Sequence, residues 1–216
     1  MVSTDRKKLG VEVAILNDLL LLISMEGSMK LVIKGLFNGD ENSLPHGEIY
    51  PGSEKMDPDE TTNTIMNRLN IVALVIDALV FVIFCLLSGI KEFDMLAFIL
   101  TLGIYFAHEL LHAICFKNEV YLYFWKEKGS AFVIGNEPMS KPHFILMSLL
   151  PNIVFGFIPF ILYLIHPSLT LLGSLSVLTI GMGIGDYYNV INALRRVPNN
   201  AKIYLHKFTT YWYIPK

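Results

Sequence analysis

A His-Glu-x-x-His motif at positions 108–112 is the part of this sequence whose residue types and spacing are best suited to chemistry. His108 and His112 are four residues apart, so in a helix both imidazoles lie on one face and can bind one metal ion. Glu109 lies between them and can accept a proton from a water molecule at that metal. The motif predicts a site for one Zn²⁺ per chain, with the two histidines as metal ligands and Glu109 as the catalytic base.

The motif lies inside an apolar run from Met95 to Phe116, an unusual setting for three ionisable residues. Of the 216 residues, 53% are hydrophobic and 17% are charged, and the mean hydropathy is +0.50. A soluble domain normally carries nearer 25% charged residues, so the composition indicates a multi-span membrane protein. The net charge is −2, and no general basic surface suggests a nucleic-acid partner.

Four apolar runs are long enough to cross a bilayer, at 71–90, 95–116, 144–165 and 169–191. Each has about 20 residues or more, which at ~1.5 Å per residue matches a hydrocarbon core ~30 Å thick. Between the second and third runs, two aromatic and β-branched stretches, 119–125 and 130–134, flank a turn and predict a β-hairpin. The predicted fold is mainly α, a polytopic membrane helical bundle with about four transmembrane helices and one short β-hairpin.

Three regions follow from this pattern. Residues 1–66 form an N-terminal cytoplasmic or interfacial segment, in which 38–64 is a flexible loop rich in Gly, Pro and polar residues. Residues 67–194 form a transmembrane metalloprotease-like domain, and residues 195–216 form a basic cytoplasmic tail. Within the first region, the mixed polar and apolar pattern predicts an interfacial helix with a short strand near 29–33.

The basic residues predict the orientation in the membrane. Four spans place the N-terminal region, the hairpin and the tail on one side, and that side holds 16 of the 17 Lys and Arg residues. Only Lys91 lies on the other side. The positive-inside rule therefore predicts a multi-pass protein of the cell membrane with both termini in the cytoplasm.

A catalytic zinc site needs a third protein ligand, and a carboxylate is a frequent one. Counting ~1.5 Å per residue places His112, Asp186 and His108 about 6 to 12 Å below the cytoplasmic ends of their runs. Asp186 follows the glycine-containing stretch 181–185, which allows helices to approach closely. Asp186 is therefore the favoured third ligand.

Three alternatives to Asp186 remain: Asp77, Glu119 and His143. Asp77, in the first run, is the strongest of these, and it could instead orient a histidine or pair with a basic residue. Asn152, in the third run, lies in the same polar layer at about 12 to 13 Å and is a candidate for contacting the substrate or a developing oxyanion. Pro151 beside it can be explained as a simple helix kink.

Together, His108-Glu-Leu-Leu-His112, the hairpin after it, Ser148-Leu-Leu-Pro-Asn152 and Gly185-Asp186 resemble the intramembrane zinc metalloproteases of the site-2 protease type. More closely, they resemble the putative zincin peptidase family of bacterial membrane proteins. The resemblance implies that His108, His112 and Asp186 bind zinc and that Glu109 is the general base. It also implies that the helix carrying Asn152 lies beside the site.

The expected function is that of a zinc-dependent, membrane-embedded endopeptidase that acts near the cytoplasmic face. Its partners would be the lipid bilayer and a membrane-protein or peptide substrate, and a homo-oligomer is compatible with the sequence. The alternative is a non-catalytic membrane zinc-binding protein with a structural, sensor or regulatory role. A closed site with four ligands would favour the alternative, whereas an open coordination position would favour catalysis.

Overall fold

The structure, a computed structural model, describes residues 30–57 and 62–216. Its helices are α1 (Thr62–Ser88), α2 (Leu96–Ala113), α3 (Lys141–Asn152), α4 (Ile158–Ile165), α5 (Thr170–Thr179) and α6 (Ile184–Arg196). A π-helical turn, Ile153–Phe157, joins α3 to α4, so these two form one long helix. Three segments of the described chain are long and apolar enough to cross a membrane: Asn67–Ser88, Leu96–Ala113 and Lys141–Ile165.

The fourth predicted span, 169–191, is helical over most of its length but is not one continuous helix. A 3₁₀ turn at Gly181–Gly183 separates α5 from α6. A Cβ atom on Gly181 would lie 2.3 Å from a carboxylate oxygen of Asp77, and one on Gly183 would lie 1.4 Å from Oδ1 of Asn152. The two glycines therefore let side chains from α1 and α3 reach the backbone at the break.

The observed helix ends also correct the predicted depths. α2 ends at Ala113 and not at Phe116, so His112 and His108 lie only ~1.5 and ~7.5 Å from the end of their helix. α6 continues to Arg196, and Asp186 lies in its first turn. Asp186 therefore lies just after a helix break, whereas the count assumed a position near the end of a span.

Among the described residues, seven strands form two small sheets: β1 (Lys30–Leu36), β2 (Glu54–Lys55), β3 (Glu119–Trp125), β4 (Ser130–Gly135), β5 (Met139–Ser140), β6 (Lys202–His206) and β7 (Thr209–Tyr213). The first sheet has the order β1-β3-β4, and the second has the order β2-β7-β6-β5. β3 and β4 are antiparallel, which confirms the predicted hairpin, and Gly129 takes positive φ in its turn. β1 pairs in parallel with β3 and includes most of the strand predicted near 29–33. The helix predicted before it lies outside the described residues.

The second sheet joins segments that come before, between and after the helices in the sequence. Within the stretch predicted as a flexible loop, β2 pairs with β7, and Leu44 and Met56 are buried. The region predicted as a tail contains the β6–β7 hairpin. β5 leads directly into α3, so this sheet is fixed to the helix that lies beside His112.

Candidate metal centre

His108 and His112 face the same carboxylate. Nε2 of His108 lies 3.1 Å from Oδ2 of Asp186, and Nε2 of His112 lies 3.3 Å from Oδ1. α2 places the two imidazoles one turn apart, with ring centroids 4.8 Å from each other. α6 supplies Asp186 from its first turn. Both histidines are buried, and the Asp186 side chain is only 15% exposed. Tertiary packing thus brings together three residues that lie on two helices distant in sequence.

The spacing of these atoms fits ligands of one small cation. Ligand atoms at about 2.0 to 2.2 Å from a tetrahedral zinc ion are about 3.3 to 3.6 Å from one another. The observed nitrogen-to-oxygen distances, 3.1 and 3.3 Å, lie close to that spacing. Two imidazoles and one carboxylate are also a common ligand set of catalytic zinc.

The hydrogen bonding of His112 supports the same interpretation. Nδ1 of His112 donates to the carbonyl oxygen of Met147 at 2.9 Å. In a neutral imidazole, Nε2 is then an acceptor, and it faces Oδ1 of Asp186, which is also an acceptor. A proton or a cation must lie between two such atoms, because two buried acceptors would otherwise be left facing each other.

Glu109 is a second carboxylate beside the two histidines. One of its oxygens and one ring nitrogen from each histidine lie within 4.8 Å of one another. Asp186 makes the closer approach, since its two oxygens contact both Nε2 atoms directly. The backbone N–H of Val133, in β4, faces the Glu109 carboxylate. The geometry therefore favours Asp186 as the metal-facing carboxylate and places Glu109 between the histidines and β4.

The outer edge of β4 lies beside Glu109. β4 pairs with β3 on one side, and its other edge has no strand partner among residues 30–57 and 62–216. Val133 directs its N–H toward Glu109 and away from β3. Because backbone groups alternate along an antiparallel strand, Ala131 and Gly135 face the same way. The Tyr105 hydroxyl lies 3.5 Å from the carbonyl oxygen of Ala131, which agrees with that direction.

Asn152 lies against Asp186. Its Nδ2 donates to Oδ2 of Asp186 at 2.9 Å and to the carbonyl oxygen of Ser148 at 3.1 Å. An amide NH₂ has two hydrogens, so both donors are occupied and none remains for a developing oxyanion. Its Oδ1 points at the Gly183 backbone and has no hydrogen-bond partner. This arrangement favours a role in orienting Asp186 over direct contact with a substrate.

The three alternative ligands, Asp77, Glu119 and His143, contact groups other than His108 and His112. Oδ1 of Asp77 accepts the backbone N–H of Gly181 at 2.7 Å, at the break before α6. Glu119 pairs with Lys30 between the exposed ends of β3 and β1, and the hydrogen bond from the ammonium holds the pKa of Glu119 below its usual range. Nε2 of His143 contacts the carbonyl oxygen of Cys115 at 2.7 Å.

Two groups at the site have no counterpart in the sequence analysis, because both belong to the backbone. The carbonyl of Met147 accepts a hydrogen bond from His112, and the N–H of Val133 faces Glu109. Residue type carries little information about such groups. The predicted hairpin suggests a strand near the site, but only its packing against α2 shows which N–H faces Glu109.

Fold and site together define an apolar, mainly helical protein with a buried His-Glu-x-x-His centre. Residues 101–202 match the model of a protein family described as "Putative zincin peptidase". The matched stretch contains the motif, the β3–β4 hairpin, Asn152 and Asp186. The match supports the interpretation of the chain as a zinc metallopeptidase. No curated protein and no solved structure matches the chain.

Proposed function

We propose that this protein is a zinc-dependent, membrane-embedded endopeptidase of the site-2 protease type. The observation that carries the proposal is that the Nε2 atoms of His108 and His112 lie 3.1 and 3.3 Å from the Asp186 carboxylate, beside Glu109. The match to zincin peptidases supports the metallopeptidase activity. The three long apolar helices support the location in a membrane.

Each residue of the site would have a distinct role. His108, His112 and Asp186 would hold one Zn²⁺, and Asn152 would orient Asp186 by its hydrogen bond. Zinc in this position supplies a Lewis acid for the scissile carbonyl and a water that ionises near neutral pH. Glu109 would take a proton from the attacking water and return it to the leaving amine.

The free edge of β4 would bind the substrate as an extended strand. An edge strand presents unpaired N–H and C=O groups to a peptide. On β4 the backbone groups of Ala131, Val133 and Gly135 face the outer edge. A bound peptide would replace the contact of the Ala131 carbonyl with Tyr105 and that of the Val133 N–H with Glu109. A peptide on this edge would pass next to the proposed base. A transmembrane helix would first have to unwind locally, because a helical peptide bond cannot pair with a strand.

The charge distribution supports placing the active site near the cytoplasmic face, with both termini on that side. In this orientation the two sheets would lie at the cytoplasmic surface, next to the end of α2 that carries the motif. The partners would be the bilayer and a membrane protein or peptide that reaches β4.

The experiment that tests the proposal compares wild type with Glu109→Gln and His108→Ala in lipid nanodiscs. Wild type should contain one zinc ion per chain and cleave a membrane-anchored peptide. Glu109→Gln should keep the zinc and lose roughly 10²- to 10⁴-fold in cleavage rate, because general-base catalysis contributes about that factor. His108→Ala should lose both zinc and activity. Full activity in Glu109→Gln would show that the proposed mechanism is wrong.

A non-catalytic zinc protein is the second candidate, and the nearness of Glu109 to the histidines favours it. A structural zinc ion would use Glu109 and Asp186 together as third and fourth ligands. Glu109→Gln would then lower the zinc affinity. In the catalytic case the same variant retains zinc, so the metal content of this one variant separates the two functions.

A further inference from the structure

The long helix formed by α3 and α4 contains two buried prolines in its interior. Pro151 lies near the end of α3, and Pro159 lies near the start of α4. In an α-helix each residue donates its N–H to the carbonyl four positions earlier. Proline has no N–H, and its ring clashes with that carbonyl, which tilts away from the helix axis. The carbonyl four positions before Pro151 is that of Met147. The one four positions before Pro159 is that of Phe155, which lies in the π-helical turn where Ile158 donates to Ile153, five positions earlier.

Each of these carbonyls accepts a hydrogen bond from another helix. Nδ1 of His112, in α2, donates to the Met147 oxygen at 2.9 Å. Oγ1 of Thr179, at the end of α5, donates to the Phe155 oxygen at 2.7 Å. At both prolines, the carbonyl four residues earlier therefore accepts a hydrogen bond from another helix. At Pro151 the partner is a candidate metal ligand, and at Pro159 the partner lies outside the metal centre.

We propose that Pro151 is a positioning residue of the metal centre, because it releases the Met147 carbonyl to hold the Nδ1–H of His112. With its proton fixed on Nδ1, His112 directs an unprotonated Nε2 toward Asp186. Histidines that bind metals commonly donate their other ring N–H to a carbonyl or carboxylate, and this contact sets the tautomer. The inference rests on the proposed function for the role of His112 as a ligand.

Pro151→Ala tests the inference, with Pro159→Ala as the matched control. Alanine at 151 restores an N–H that competes with His112 for the Met147 oxygen. The zinc affinity, measured by competition with a chelator in nanodiscs, should fall by roughly 10- to 100-fold, as for other residues that support metal ligands. The melting temperature of the metal-free protein should not fall, because alanine continues a helix better than proline does. Pro159→Ala should leave the zinc affinity unchanged.

Nuclear magnetic resonance of labelled histidines gives a second measurement that needs no metal. The nitrogen shifts of His112, assigned with a His112→Gln variant, show which ring nitrogen carries the proton. At a pH at which the His112 ring carries a single proton, metal-free wild type should have that proton on Nδ1, and Pro151→Ala should reduce that population. Pro159→Ala should not change it.

Several results would overturn the inference. These are an unchanged zinc affinity in Pro151→Ala, an equal loss in both proline variants, a failure of Pro151→Ala to fold, or an unchanged His112 tautomer. If wild type binds no zinc, the proposed function fails, and the tautomer still decides whether Pro151 positions His112.

Discussion

Gly183→Ala should weaken the metal centre without removing any of its side chains. A Cβ atom at this position would lie 1.4 Å from Oδ1 of Asn152, whereas real Cβ contacts are essentially never shorter than 3.0 Å. The Asn152 amide must therefore retreat by about 1.6 Å or more. Its hydrogen bond to Asp186, now 2.9 Å long, cannot survive a shift of that size.

The size of the effect follows from this hydrogen bond. A hydrogen bond to a charged group is worth about 1.5 to 3 kcal/mol. If that energy helps to hold Asp186 in place for zinc, its loss lowers the zinc affinity by roughly 10- to 100-fold, since each 1.4 kcal/mol is about tenfold. Competition with a chromogenic chelator measures this difference directly.

Gly185→Ala is the control, because it makes the same substitution two residues later, where no atom lies within 4 Å of the new Cβ. It should leave the zinc affinity unchanged and raise stability slightly, by up to about 1 kcal/mol, because alanine is the better helix residue.

A double-mutant cycle with Asn152→Ala decides whether Gly183→Ala lowers the zinc affinity by displacing Asn152. Asn152→Ala alone removes the hydrogen bond and empties the space that Gly183→Ala would need. In that background Gly183→Ala should cost almost nothing further. An equal loss of affinity from Gly183→Ala in both backgrounds would refute the reasoning, and so would an equal loss in Gly185→Ala.

Two further outcomes are expected. Asp77→Asn should keep the zinc affinity of wild type, because the asparagine oxygen can still accept the Gly181 N–H. Asp77→Ala removes that acceptor and should weaken zinc binding. An equal loss of zinc in both variants would instead indicate that the Asp77 carboxylate is a ligand. Gly173→Ala should lower the free energy of unfolding by about 1 to 3 kcal/mol, since its Cβ would lie 2.7 Å from the Tyr163 ring. Gly103→Ala should not lower the free energy of unfolding, because its Cβ would meet no atom within 4 Å. Thermal unfolding of the two glycine variants checks this, and equal melting temperatures would contradict the packing argument.

The sequence by itself determined the features that depend on local spacing. His108 and His112 are four residues apart, and any helix through them places both imidazoles on one face, with Glu109 next to them. The β3–β4 hairpin is local in the same sense, since alternating aromatic and β-branched residues around a short turn pair with each other. The apolar runs similarly predicted most of the helices, because the length needed to cross a bilayer is visible in composition.

Only the tertiary structure decided what lies around these local features. Asp186 was the favoured third ligand by a count of helix depth, yet the count assumed straight helices and used the wrong helix ends. The glycines at 181–185 allow the backbone to loosen, but they do not show that a break forms at Gly181–Gly183. At the break, Asp77 and Asn152 lie too close to Gly181 and Gly183 for either position to carry a Cβ atom. In the same way, Pro151 in the sequence predicts that a carbonyl four residues earlier loses its helical donor. That the carbonyl then binds His112 depends on how α2 packs against α3, and such contacts between distant residues are set by the packing of the whole bundle rather than by local sequence.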